Sequence, residues 1–284
     1  MRHSMNALAL VIVALATAMT GCGGSDGSGP VNTTPPESTN GIVWDRGRLW
    51  IAAIQGSQLV QVDPESGAIT RGFGPEDGLA ANDDLVILDG GGFVVTEPNK
   101  GTVSRFDPKS GRTVLDEIGS QANGITRCDD GRIFANREVP SGGVFEIDPT
   151  GASPARRLTT SVPALNSMAC VGDDLYAPTF ALEGGVIRIH RETGAVERVA
   201  SGMVLPSAVH TTPDGTLVAL QTVFPARLAK VDLASGTLVE LVRLGAMVPD
   251  NFAVGPDGTF YVTDFLDAGV VVVAPDGSTR RIEL

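Results

Sequence analysis

A turn ending in glycine returns six times along this chain, and its period limits the fold more than any other feature. It reads Asp63-Pro64-Glu65-Ser66-Gly67, Asp107-Pro108-Lys109-Ser110-Gly111, Asp148-Pro149-Thr150-Gly151, Arg191-Glu192-Thr193-Gly194, Asp232-Leu233-Ala234-Ser235-Gly236 and Ala274-Pro275-Asp276-Gly277. The glycines lie about 40 to 44 residues apart, and a repeat of that length signals an array of supersecondary units. A second turn recurs out of phase, at Asp45-Arg46-Gly47, Asp89-Gly90-Gly91, Asp129-Asp130-Gly131, Gly172-Asp173-Asp174, Asp214-Gly215 and Asp257-Gly258. Asp-Gly between apolar runs marks a hairpin, because glycine accepts positive φ and aspartate bonds to nearby backbone.

The runs between the turns read as strands. Leu49-Trp50-Ile51, Phe93-Val94-Val95, Ile133-Phe134-Ala135, Leu175-Tyr176-Ala177, Leu217-Val218-Ala219 and Phe260-Tyr261-Val262 each follow a second turn. Such apolar runs suit sheets covered on both faces, and no segment has a long amphipathic helical period. Four strands per unit and six units predict an all-β, six-bladed β-propeller with four-stranded antiparallel blades. The blades are expected at 40–78, 82–118, 122–160, 165–203, 206–245 and 249–284. Blade 1 starts with its own innermost strand and blade 6 ends with its own outermost one. No strand is therefore left to close the ring by crossing between the termini.

Residues 1–21 read as an export signal. Arg2 and His3 precede an apolar run from Ala7 to Ala18 that is too short to span a membrane. Met19-Thr20-Gly21-Cys22 then resembles a bacterial lipobox, with Met19 where Leu is usual, which implies lipidation at Cys22. Gly23, not Asp, follows that cysteine, which points to the outer membrane or periplasmic side of the envelope. Residues 22–39 are rich in Gly, Ser, Thr and Pro and are expected to form a flexible tether. The net charge of −12 argues against nucleic acid as a partner. The membrane, reached through the lipid, is expected as one partner, and a small molecule or protein at the channel mouth as another.

Ligands of propellers meet residues that enter the innermost strand of each blade. The entries here are Asn40-Gly41, Asn82-Asp83, Asn123-Gly124, Asn166-Ser167, Ser207-Ala208 and Asp250-Asn251, each uncertain by about one residue. Converging amide and carboxylate oxygens could hold a hard cation such as Ca²⁺, with Asn82, Asn123, Asn166 and Asp250 as candidate ligands. Asn and Asp also open strands simply because they favour turns. His210 in the innermost strand of blade 5 is a candidate acid or base. His190 occupies the slot of the turn aspartates. Cys128 and Cys170 hold nearly equivalent positions in adjacent blades. An oxidising compartment permits a disulfide between them, but its Cα atoms must lie within about 7 Å and equivalent positions in adjacent blades are usually farther apart, so two buried thiols are expected ahead of the disulfide.

The repeat, with Ala122-Asn123-Gly124-Ile125 and Pro249-Asp250-Asn251-Phe252 ahead of Pro256-Asp257-Gly258-Thr259, resembles the senescence-marker-protein/gluconolactonase superfamily and its NHL-type relatives. The resemblance runs over residues 40–284. It implies a divalent cation held by Glu of the first blade, Asn of the third and fourth and Asp of the fifth. Asn123 and Asn166 match that pattern, whereas Asn40 and Ser207 stand in the first and fifth blades and Asp250 lies one blade later. On the resemblance, a cation would polarise a lactone carbonyl with Asp250 or Asp83 as general base. Two functions are expected from the sequence: a cell-envelope propeller binding a ligand or partner at its mouth, or a cation-dependent hydrolase of a lactone or small ester.

Overall fold

The computed structural model describes residues 32–284. Their strands form six four-stranded antiparallel sheets, and in every sheet the strands lie in chain order. The innermost strands are β1 (Ile42–Asp45), β5 (Leu85–Ile87), β9 (Ala122–Arg127), β13 (Ala169–Val171), β17 (Pro206–Thr211) and β21 (Pro249–Val254). The second strands are β2 (Arg48–Ala53), β6 (Phe93–Glu97), β10 (Ile133–Arg137), β14 (Asp174–Pro178), β18 (Leu217–Gln221) and β22 (Phe260–Asp264). The six-bladed propeller that the period predicts is the fold found. Among the described residues no helix is long and apolar enough to cross a membrane.

The recurring turns do the work their residues suggest. Asp63 Oδ1 accepts from the amides of Glu65 and Ser66, each at 3.0 Å, and Gly67 closes the hairpin at φ 75°. A side chain there would force an L-residue into the left-handed region. His190 replaces the aspartate in its blade, and its Nδ1 accepts from the amides of Glu192 at 3.3 Å and Thr193 at 3.4 Å.

Every apolar cluster is shared by two adjacent blades, so the core is a ring of interfaces. The two-sided burial explains why the strands read as continuous apolar runs. Among the described residues no strand is exchanged between the termini: β1 stays in the first sheet and the last strand, β24 (Thr279–Glu283), in the sixth. Packing closes the ring instead. Ile42, Ile51 and Val62 of blade 1 meet Tyr261, Val270 and Val272 of blade 6, and Trp44 stacks on Tyr261 with centroids 5.2 Å apart.

The signal segment, Cys22 and the first part of the tether lie outside the described residues. Residues 32–39, assigned by composition to the tether, run along blade 1, where Asn32 Nδ2 donates to Glu76 Oε1 at 2.9 Å, to the seam, where Ser38 and Thr39 are buried. Thr39 Oγ1 lies 2.9 Å from the carbonyl of Asp264 and 3.0 Å from that of Gly269, and Thr263 Oγ1 donates to the carbonyl of Asn40 at 2.7 Å. Composition marks this stretch as poor in apolar residues, but the Asp264–Gly269 hairpin of blade 6 supplies carbonyls that the Thr39 hydroxyl can satisfy.

Cys128 and Cys170 form a disulfide with Cα atoms 5.3 Å apart. Innermost strands approach one another closely enough for Ser167 and Ala208 to form a parallel bridge between blades 4 and 5. Adjacent positions near the axis therefore fall within disulfide reach, unlike positions farther out.

Two stability effects follow. Tyr261→Ala should lower the unfolding free energy in urea by about 3 kcal/mol, the usual cost of deleting a buried aromatic ring; a loss under ~1 kcal/mol would contradict closure through this seam. Reducing Cys128–Cys170, which are 42 residues apart in sequence, should cost about 2–4 kcal/mol in the same assay, and an unchanged denaturation midpoint would show that the bond adds nothing.

Candidate functional site

Two stacked rings of side chains surround the channel where the innermost strands begin. Backbone pairing fixes their register. Asn40 and Asp83 donate to the carbonyls of Ala52 and Thr96, whose own amides return to the carbonyls of Gly41 and Asp84. Asn40 is thus equivalent to Asp83, and Gly41 to Asp84. The outer ring is Asn40, Asp83, Asn123, Asn166, Ser207 and Asp250. The ring beneath it is Gly41, Asp84, Gly124, Ser167, Ala208 and Asn251. In blade 2 this register differs by one residue from the sequence reading. Asn82 sits before the ring, fully buried, with neither its Oδ1 nor its Nδ2 partnered.

The lower ring is a polar plug. A Cβ on Gly41 would lie 2.5 Å from Asp84 Oδ1, and one on Gly124 would lie 2.4 Å from the carbonyl of Asn166. Glycine at these two points lets neighbouring strands close on the axis. Asp84 sits buried among four donors. Its Oδ1 accepts from the Leu85 amide at 2.9 Å and Asn251 Nδ2 at 3.2 Å, and its Oδ2 from the Ile125 amide at 3.2 Å and Ser167 Oγ at 3.0 Å. Asn251 Oδ1 in turn accepts from His210 Nε2 at 2.9 Å, with Ser167 Oγ 3.4 Å from the same nitrogen. Asn251 presents its amide nitrogen to Asp84, so its oxygen faces His210 and the imidazole carries its proton on Nε2. Burial holds the His210 pKa down, opposed by the hydrogen bond that its Nε2 donates to Asn251. His210 is thus engaged in the plug and has no free Nε2 lone pair to offer.

Acid accumulates at the mouth without compensation. No Lys or Arg among the described residues forms an ion pair or hydrogen bond with Asp83, Asp84, Glu138 or Asp250. Burial pushes Asp84 up to about 6, with the Ile125 and Leu85 amides and the Ser167 hydroxyl opposing it. Burial and then the charge of Asp84 raise Asp250 to about 7. Burial and then Asp250 raise Glu138 to about 8. Asp83 lies well above the usual range, first through burial, then through repulsion from Asp250, Asp84 and Glu138, with Asn40 opposing. Asp83 and Asp84 are buried, whereas Asp250, Glu138 and His210 keep some exposed surface.

The amides divide into engaged and free. Asn40 Oδ1 is taken by Ser38 Oγ at 3.1 Å and the Ile54 amide at 3.2 Å, and its Nδ2 points to Asp83 at 3.3 Å. Asn166 Oδ1 accepts from the Ser167 amide at 2.7 Å. Asn123 Nδ2 donates to Glu138 Oε2 at 2.9 Å and leaves its Oδ1 without a partner, as is Ser207 Oγ. Buried polar atoms without partners are rare and point to a missing ion or water. Among the described residues no three His, Cys, Asp or Glu side chains converge on one point. The available donors are instead a mixed set of oxygens, the kind that hard cations prefer. At the opposite end of the channel lies a cleft of ~440 Å³ whose Arg127 is already paired with Asp89.

The family model described as the SMP-30/gluconolactonase/LRE-like region matches residues 38–284. The chain belongs to this family. Among solved structures, the propeller is similar to a streptogramin B lyase, with 16% identity over 89% of this chain and 85% of that one and a TM-score of 0.66. It is also similar to the virginiamycin B lyase from Staphylococcus aureus, at 16% identity over 90% and 87%, with a TM-score of 0.63. A gluconolactonase from Xanthomonas campestris shares 17% identity over 67% and 71%, with a TM-score of 0.57. At these identities the likeness is one of fold. No curated protein sequence matches the chain significantly. The divalent cation that membership of the family implies fits the unpartnered oxygens and uncompensated carboxylates of the mouth.

Glu138 and Asp84 escaped the sequence reading. Glu138 lies just past β10, in a connection outside the repeated pattern. Asp84 was hidden by the one-residue longer entry of blade 2, although three polar residues in succession, Asn82-Asp83-Asp84, marked the irregularity.

The acids make the cation-free protein sensitive to pH. Their folded pKa values lie above the unfolded ones, so the folded state holds extra protons from about pH 4 up to about 8, and stability must fall as pH rises through that window. Chelator-treated protein should melt lower at pH 8 than at pH 5.5, and Glu138→Gln should narrow the difference. A melting temperature that climbs with pH across this range would contradict the cluster.

Proposed function

We propose that this chain is an exported, lipid-anchored propeller of the cell envelope that holds a hard divalent cation at its channel mouth and presents it to a small oxygen-rich ligand. The observation that carries this reading is the set of uncompensated carboxylates beside the unpartnered oxygens of Asn123 and Ser207. Asp83, Asp250, Asn123 and Ser207, with Asn166 beside them, would hold the ion. Its charge would relieve the repulsion that now raises the carboxyl pKa values. The export signal and Cys22 in the sequence support the address.

A second reading, hydrolysis of a lactone or small ester, is favoured by the neutral-range acids. When bound, the cation would polarise a carbonyl and acidify a water. Glu138 and Asp250 are raised to about 8 and about 7, which suits groups that exchange protons near neutral pH. Asn123 would orient the Glu138 carboxyl through its amide hydrogen bond. Asp83 is less suited to the base role, being buried and tied to Asn40.

Thermal unfolding of chelated protein with added Ca²⁺, Mg²⁺ or Mn²⁺ tests the cation. A concentration a hundredfold above Kd should raise the melting temperature by roughly 5–10 °C. Asp250→Asn should abolish that rise while leaving the cation-free protein as stable or more so, because it removes a repelled carboxyl. No rise with any of the three ions would overturn the reading. Turnover of a lactone panel that depends on the ion and fails in Glu138→Gln would establish the hydrolase.

A further inference from the structure

The rim around the mouth is chemically divided. In each blade the connection from the second to the third strand lies on the same face as the start of the innermost strand, because neighbouring strands are antiparallel. Backbone bonds place equivalent residues there: Glu138 donates to the carbonyl of Gln121, Phe180 to Ala164, Thr222 to Leu205 and Phe265 to Val248. The position that brings a carboxyl to the mouth from blade 3 thus carries phenylalanine in blades 4 and 6. Between these two, the Thr222 hydroxyl is buried without a partner.

Just beyond these positions three large apolar side chains stand in solvent, one on each of three consecutive blades. Leu182 is 53% exposed, Phe224 74% and Leu266 67%. The corresponding connections of blades 1, 2 and 3 present Gln55, Lys100 and Ser141. Phe224 is held outward: its backbone sits at φ 60°, and Gln221 Nε2 donates to the carbonyls of Val223 and Pro225, each at 2.9 Å. The same left-handed conformation recurs in the corresponding connections at Ser57, Ser141 and Ala268, so the turn, not the phenylalanine, sets it. Three exposed apolar side chains on the mouth face of three consecutive blades mark that side of the rim as a candidate contact region.

We propose that the mouth takes an amphiphilic ligand, with its oxygen-rich head at the carboxylates and its apolar body laid across Leu182, Phe224 and Leu266. This rests on the reading of the mouth as a cation and ligand site, and adds the class of ligand. Continuity argues for one molecule on both surfaces, since each apolar tip belongs to the connection hydrogen-bonded to its blade's own mouth segment. The acidic mouth and the net charge of −12 disfavour an anionic bilayer as the occupant of this face.

The test is calorimetric titration of the Ca²⁺-loaded protein with γ-butyrolactone, γ-octalactone and γ-dodecalactone. Affinity should rise about 2- to 4-fold per methylene that contacts the tips. The triple variant Leu182→Ser, Phe224→Ser, Leu266→Ser should lose most of this dependence on tail length while keeping the Ca²⁺-induced thermal shift, which also reports that it folds. Affinity independent of tail length, or an unchanged dependence in the triple variant, would overturn the proposal. Binding of the wild type to phosphatidylcholine or phosphatidylglycerol vesicles that the triple variant loses, without any preference among the lactones, would overturn it in favour of a membrane contact. Absence of a Ca²⁺ shift in the wild type would strike the cation reading itself.

Discussion

The Asp84 carboxylate is the point on which the ring and its mouth both depend. It gathers donors from blades 2, 3, 4 and 6, and reaches blade 5 through Asn251 and His210. A buried carboxylate persists only where hydrogen bonds replace the lost water. Here four donors do so with no Lys or Arg partner among the described residues, and the remaining cost shows as a pKa raised to about 6. Any substitution that removes the carboxylate leaves those donors orphaned near the axis, which costs more than the loss of an exposed contact. The close approach of strands that makes this cluster possible requires no side chain at Gly41 and Gly124.

The same constraint shapes the mouth. Asp84 places negative charge directly under Asp83 and Asp250, and Asp250 passes the repulsion on to Glu138. The plug is satisfied and the ring above it is not. That contrast separates a self-satisfied layer from one that still has polar atoms without partners. A proton or a cation can relieve the mouth, and the two must compete, because both favour the same oxygens.

Most of the architecture was legible because it repeats. Turn aspartates and glycines return at fixed spacing, and burial on both faces of each sheet gives strands that are apolar throughout. The missing strand exchange was legible from the order of the turns alone. The site was less so. Asn123, Asn166, Ser207 and Asp250 could be placed at the mouth because their blades keep the common spacing. Asp84 could not, since one extra residue in blade 2 shifts the entry, nor could Glu138, which sits in a connection that the repeat does not constrain. Pairing of Cys128 with Cys170 depended on how near the axis their strands run, which spacing does not encode. The apolar tips at Leu182, Phe224 and Leu266 belong to loops of differing length and fall on the same side of the rim only when the blades are arranged around the axis.

On this reading the mouth exchanges protons for a cation. Calorimetric titration of the chelator-treated protein with Ca²⁺ at pH 7, in two buffers of different ionisation enthalpy, counts the protons released. Binding should be saturable, with roughly one or more protons released per ion and fewer for Glu138→Gln. Binding with the same heat in both buffers, or no binding heat at all, would contradict it.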